Sequence, residues 1–316
     1  MSKKPMIVLT GPTAVGKTRL SIALAKAVDG EILSADSMQV YRYMDIGSAK
    51  IRQEEMQGVP HHLIDVLDPR EEFNVVYFQQ KCKECLAGIY ERGHLPILTG
   101  GTGFYIQALL RDIDFTENEE DTAYRQKLEE LAQKEGAAYL HRMLLCVDPK
   151  AAEAIHENNI KRTIRALEYH KLTGQKISDH NSREKQKENA YNSCYFVLND
   201  RRKALYGLIE ERVDEMMAKG LVEEVKRLKD MGLKRGMVSM QGLGYKEILD
   251  YLDGLCSLED AVQKIKLETR HFAKRQLTWF RREQDVIWIE KDQFGYDEEK
   301  ILKFMLEKLS EQKIIE

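Results

Sequence analysis

Residues 11–18 of the chain read GPTAVGKT, a fit to G-x-x-x-x-G-K-[ST] with Gly11, Gly16, Lys17 and Thr18 at the fixed positions. Along Gly11, Pro12, Thr13, Ala14, Val15 and Gly16 the backbone can turn N–H groups inward. A following helix adds its partly positive N-terminus, and Lys17 adds a full charge. The loop therefore suits a diphosphate or triphosphate, as in nucleotide- and ATP-binding proteins of the P-loop type. The Thr18 hydroxyl is placed to meet a Mg2+ ion carried by the phosphates. The motif leaves open what those phosphates are attached to.

Two further stretches could add functional groups. Asp36 directly follows the apolar run Glu31 to Ser34, so a strand beside the phosphate-loop strand would present its carboxylate at the carboxyl edge of a sheet, where ligands bind. A turn cap is the plainer role for an aspartate there. Residues 95–105, LPILTGGTGFY, end an apolar run in Thr99, Gly100, Gly101 and Thr102. That is either a second backbone approach to phosphate or substrate, or a tight strand-to-helix turn. A triphosphatase would offer an apolar strand ending in a magnesium-binding Asp, and a GTPase an NKxD; neither pattern is clear here.

The elements that must position these groups alternate through the first third of the chain. Met6 to Thr10 is apolar, a helix is predicted from about Lys17, Glu31 to Ser34 is apolar again, a helix spans about Asn74 to Arg92, and Leu95 to Thr99 closes the series. Such alternation predicts an α/β fold, a P-loop NTPase-like parallel sheet flanked by helices. From about Asp114 the pattern turns charged and helical, through ENEEDTAYRQKLEELAQKEG and AAEAIHENNIKRTIRALEYHKLTG. Residues 114–189 are therefore expected to form an inserted all-helical domain within a core of residues 1–113 and 190–316. The polar run at 176–189, without an apolar period, is expected to be a mobile connector. CYFVLN at 194–199 restores a strand, residues 201–232 and 258–284 are long amphipathic patterns, and VIWI at 286–289 is a candidate last strand.

At 316 residues and 43% hydrophobic content the chain can fill a core. With 49 basic and 52 acidic residues its net charge is -3, so a nucleic-acid partner would need a local basic patch. Five cysteines do not suggest a disulfide framework, and Cys82 and Cys85 form a CxxC inside a helical pattern with no second pair to complete a zinc site. His61 and His62 read as structural. No secretory or membrane-spanning run is present, so a cytoplasmic protein is expected, away from membranes and without an evident obligate protein partner.

The motifs GPTAVGKT, SADSMQVYRYMDIGSAK, PHHLID, LTGGTGFY, RALE, RVDEMMAKGLVEEV, GLGYKE and TRHFAKRQLTWFRR closely resemble those of tRNA dimethylallyltransferases, also called tRNA isopentenyltransferases. The resemblance runs in the same order over nearly the whole chain. It implies transfer of a dimethylallyl group from dimethylallyl diphosphate to the exocyclic amine of the adenosine 3′ of the anticodon, tRNA position 37, with diphosphate released. The phosphate loop would then hold the donor's diphosphate rather than ATP. By the same resemblance Asp36 is the general base, Thr18 helps bind magnesium diphosphate, and Thr102 and Arg212 sit around the reacting groups; on electrostatic grounds Lys17 and Arg212 are expected to stabilise the charge that builds on the leaving diphosphate. Arg212 has a plainer role too, as a surface partner of an acid on its own helix.

The expected RNA partner is the tRNA anticodon stem-loop. Asp36, Ser37, Met38 and Gln39 are the expected readers of a base flipped into the pocket. The segment ending KIKLETRHFAKRQLTWFRR carries Lys264, Lys266, Arg270, Lys274, Arg275, Arg281 and Arg282 against the one acid Glu268, and is the local basic patch required above. Trp279 and Phe280 in it are assigned to the core. Within the insertion, Lys161, Arg162 and Arg165 match the basic ends of the family's QRLSR segment, here KRTIR, and Arg125 is added to the expected tRNA contacts. Two alternatives remain at this point: a P-loop kinase that phosphorylates a small molecule with ATP, and a prenyltransferase acting on free adenine nucleotides. An RNA-binding protein with a purely structural phosphate loop is a third.

Overall fold

The computed structural model describes residues 3–115 and 122–315. The chain divides into two compact units, one formed by the residues up to Leu110 and from Ala190 onward, the other by Arg111–Asn189.

The first unit is built on a six-stranded sheet: β1 (Pro5–Thr10), β2 (Gly30–Ala35), β3 (His61–His62), β4 (Leu95–Gly100), β5 (Asn192–Asn199) and β6 (Val286–Glu290), in the order β3-β2-β4-β1-β5-β6. All neighbouring pairs are parallel, so β1 lies between β4 and β5. The continuous apolar strands follow from burial on both faces. Successive side chains alternate sides, and Met6 and Val8 enter one hydrophobic cluster while Ile7 and Leu9 enter the other. On the first face α2 (Val75–Glu91) contributes Phe78, Cys82, Leu86 and Ile89, joined there by α3 (Gly103–Leu110). On the second, α1 (Lys17–Ala27) contributes Leu20 and Leu24. This is the predicted flanked parallel sheet, but β2, which leads to Asp36, does not lie beside the phosphate-loop strand as expected, because β4 pairs with both and separates them. Cys82 is a core residue, and His62 Nε2 lies 2.6 Å from Glu31 Oε2, with both Glu31 oxygens also taken by Arg92. These contacts lower the buried Glu31 carboxyl to about 2, Arg92 being the main cause.

The second unit is all-helical among its described residues: α4 (Thr122–Glu135), α5 (Ala137–Val147), α6 (Pro149–Ala154), α7 (Ile160–Thr173) and α8 (Ile177–Gln186). Leu128, Leu140, Leu144, Ile164 and Leu167 form its core. Residues 117–121 of the charged segment lie outside the described residues. The polar run predicted as a mobile connector is instead α8. A side chain from elsewhere substitutes for an apolar face: the Asp148 carboxylate accepts from Ser178 N at 2.9 Å and Ser178 Oγ at 2.7 Å.

Beyond β5 the long amphipathic stretch is two helices, α9 (Arg202–Ala218) and α10 (Leu221–Asp230), divided by Gly220 at φ 95°. There follow α11 (Tyr245–Leu252), α12 (Leu258–Phe280) and, after β6, α13 (Glu298–Glu311), which no sequence pattern above anticipated.

Candidate active site

β1 delivers the chain to Gly11, whose φ of 149° places it so close to β5 that a Cβ would collide with the Leu198 carbonyl oxygen. Gly16, left-handed at φ 101°, then turns the chain into α1. Lys17 folds back over the loop between them, its Nζ donating to Gly11 O at 2.9 Å and Pro12 O at 2.7 Å. Burial lowers the Lys17 amine to about 7; the Arg212 charge acts in the same direction and Asp36 opposes both. Thr18 is exposed in the first turn of α1.

Asp36 follows the last residue of β2. Its Oδ1 accepts from Met38 N at 2.8 Å and Gln39 N at 3.3 Å, so the carboxylate does cap a turn. It also lines a cavity of about 830 Å3 together with Thr13, Lys17, Thr18, Gly101 and Arg212. Capping and facing a ligand are compatible, because the turn uses one of the two carboxylate oxygens. Arg212 on α9 is half-buried and makes no ion pair or hydrogen bond among the described residues; desolvation lowers its pKa, and the charges of Asp36 and Glu215 raise it. It lines the cavity, as does Glu215 one turn further along the same helix. Ile22, Leu208, Met216 and Phe272 give the same cavity an apolar portion.

Of the expected base readers, Gln39 lines the cavity, its Nε2 directed at Ser48 O and Ala49 O at 3.5 and 3.4 Å. Ser37 is half-buried, and Met38 packs beside Gly242. Thr102 precedes α3 and donates its backbone N–H to Ala35 O at 3.3 Å; Thr99, Gly100 and Gly101 line the cavity and Thr102 does not.

Sequence reasoning missed Gln276. Its Oε1 accepts from Thr13 N at 2.8 Å and its Nε2 donates to Gly101 O at 3.0 Å, so one side chain of α12 ties the phosphate loop to the second glycine turn. Lys274 and Arg275 beside it are exposed, whereas Phe280 is fully buried and Trp279 packs on Gly103.

In the helical unit Lys161 and Arg162 are exposed on the first turn of α7 and Arg165 is half-buried. Thr163 and Ile164, the residues that depart from the family pattern, are buried. Arg125 pairs with the buried Glu168 through two bonds of 2.9 Å, joining α4 to α7. Among the described residues no group of three or more His, Cys, Asp or Glu could hold a metal, and no helix is long and apolar enough to cross a membrane.

A model of the IPP transferase family matches residues 39–283. A tRNA dimethylallyltransferase of Lachnoclostridium phytofermentans is 61% identical over 99% of each chain, and one of Carboxydothermus hydrogenoformans 48% identical over 100% of this chain and 98% of its own. Among solved structures, a tRNA isopentenylpyrophosphate transferase of Bacillus halodurans matches with a TM-score of 0.74 and 46% identity, covering 98% of both chains. A eukaryotic dimethylallyltransferase acting on tRNA matches with a TM-score of 0.79 and 30% identity over 91% of this chain and 74% of that one. With a phosphate loop, a carboxylate and a half-buried arginine around one cavity, and with these relatives along its length, the chain belongs to the IPP transferase family, that of the tRNA dimethylallyltransferases.

Proposed function

We propose that the chain transfers the dimethylallyl group of dimethylallyl diphosphate to the exocyclic amine of adenosine 37 in tRNA. A new carbon–nitrogen bond forms, the allylic carbon–oxygen bond breaks, and diphosphate leaves. The observation that carries this reading is the gathering of Lys17, Thr18, Asp36 and Arg212 around one cavity that also has an apolar portion.

An adenine amine is a weak nucleophile, so the leaving group must carry much of the catalysis. As its bond to carbon stretches, negative charge grows on the diphosphate oxygens, and Lys17, Arg212 and the loop N–H groups stabilise it. A magnesium ion carried by the diphosphate would be held through the hydroxyl of Thr18, which lines the cavity next to Lys17. When bound, such an ion adds positive charge at the leaving oxygens. Alkylation makes the nitrogen acidic, and Asp36, through the oxygen its turn leaves unused, takes the proton. Ile22, Leu208, Met216 and Phe272 shelter the prenyl group from water that would attack the same carbon.

The exposed Lys161, Arg162, Lys274 and Arg275 supply charge for the anticodon stem-loop, and the protein works in the cytoplasm. The test is incubation with radiolabelled dimethylallyl diphosphate and either bulk tRNA or AMP, without ATP. Label in tRNA supports the proposal. Label only in AMP makes the chain a nucleotide prenyltransferase, and no label in either acceptor together with phosphoryl transfer from added ATP to a small molecule makes it a kinase.

A further inference from the structure

Besides Arg212 and Met216, which line the cavity, the segments RVDEMMAKGLVEEV and GLGYKE contribute two residues outside its lining, Glu224 and Tyr245, that meet beside it. Glu224 on α10 is almost fully buried, and its carboxylate accepts three successive backbone N–H groups: Asp45 at 3.0 Å, Ile46 at 2.8 Å and Gly47 at 3.1 Å. Converging N–H groups of this kind form a cradle for an anion, and here the chain supplies the anion itself. Tyr245, at the start of α11, donates its hydroxyl to Glu224 Oε1 at 2.8 Å and accepts the Ser48 N–H at 3.1 Å. Its ring covers Gly47 so closely that a Cβ would lie 2.6 Å from it. Lys50 secures the other end of the segment, donating to Tyr41 O at 2.7 Å and Asp45 Oδ1 at 2.6 Å.

The segment so held faces the cavity through Asp45, Ile46, Ala49 and Lys50. It also receives Gln39 Nε2 on the Ser48 and Ala49 carbonyls, and the Gln39 N–H is one of the two that orient Asp36. The phosphate loop, held by Gln276, has no part in this series of hydrogen bonds.

We propose that Glu224 and Tyr245 are positioning residues that set residues 45–48, and through Gln39 the Asp36 turn, at the distance the transfer step requires, acting on turnover rather than on donor binding. The proposal rests on the function proposed above. Misplacement of a reacting group by about 1 Å can cost on the order of a hundredfold in rate. Tyr245→Phe keeps the ring over Gly47 and removes only the hydroxyl, and Glu224→Gln replaces one acceptor oxygen by a donor facing N–H groups.

The experiment measures both variants in three ways: single-turnover label transfer to tRNA at saturating substrates, affinity for inorganic diphosphate, and amide exchange of residues 45–48. Tyr245→Phe is expected to slow transfer about tenfold and Glu224→Gln about a hundredfold. Diphosphate affinity is expected to stay within about twofold of the parent, with exchange faster at 45–48 and unchanged in the phosphate loop. Undiminished transfer in a folded Tyr245→Phe protein, or a loss of diphosphate affinity equal to the loss of rate, overturns the proposal. Failure of the parent protein to label tRNA overturns the proposed function instead, and unchanged exchange at 45–48 in both variants then overturns this inference by itself.

Discussion

Gln276 reaches across 263 residues of sequence to take the Thr13 N–H at 2.8 Å, so a side chain of α12 sets one edge of the phosphate loop. Gln276→Leu leaves that N–H and the Gly101 carbonyl without their partner. The expected cost is about 1–3 kcal/mol of stability, as for unsatisfied partly buried polar groups. Affinity for inorganic diphosphate is expected to fall about tenfold, equivalent to about 1.4 kcal/mol. Thermal unfolding and titration calorimetry measure the two effects, and an unchanged affinity would assign Gln276 to folding alone.

Lys17 makes diphosphate binding depend on pH. Its amine is lowered to about 7 in the folded protein from an ordinary 10.5, so between those values the unfolded chain binds the additional proton. Stability of the unliganded protein therefore rises with pH across that window, and Lys17→Met flattens the rise. Binding runs the other way, because the anion favours the charged amine. Affinity is expected to fall as pH climbs above about 7, by up to about tenfold per unit, and this component is lost in Lys17→Arg. Calorimetry in buffers of different ionisation enthalpy detects the proton taken up; no difference between the parent and Lys17→Arg would refute it.

Asp36→Asn preserves an oxygen to accept from Met38 and Gln39, so the turn survives while the base is lost. Single-turnover transfer is expected to slow by at least about a hundredfold with tRNA affinity retained. Chemistry near the parent rate in this variant would remove Asp36 from the proton step.

Lys274 and Arg275 are exposed, so reversing both to Glu is expected to leave the fold and diphosphate affinity intact. Binding to every tRNA weakens, and the slope of log affinity against log salt falls by roughly 0.7–0.9 for each RNA phosphate that is no longer neutralised. A folded double variant with the parent slope would place the RNA on another surface.

What was legible in the sequence is what is local. The phosphate loop is a contiguous pattern bounded by a strand and a helix, and the parallel sheet announces itself through apolar runs that sequence spacing alone separates. Gln276 and Glu224 were invisible for the opposite reason. Each is an ordinary polar residue on a helix, and its meaning comes from backbone groups 263 and about 178 residues away. The helix at Ile177–Gln186 escaped because its anchor is Asp148, 30 residues earlier, and not an apolar stripe of its own. Arg212 could be singled out only through resemblance, since one arginine among acids on an amphipathic helix reads equally well as a surface ion pair.

The position of β1 between β4 and β5 also bears on how the protein is made. Of the sheet's strands a ribosome emits β1, which leads into the phosphate loop, before the others, yet one of its two ladder partners, Asn192–Asn199, follows the whole of Arg111–Asn189. At about 5–20 residues per second the nascent strand waits roughly 10–40 s with one edge unpaired. The helices of Arg111–Asn189 are contiguous in sequence and emerge during that interval, so their core can close before the sheet does. Premature termination anywhere before Asn199 therefore leaves an apolar strand edge open to pairing with other chains, and the burden on chaperones is expected to peak while the helical insertion is being translated.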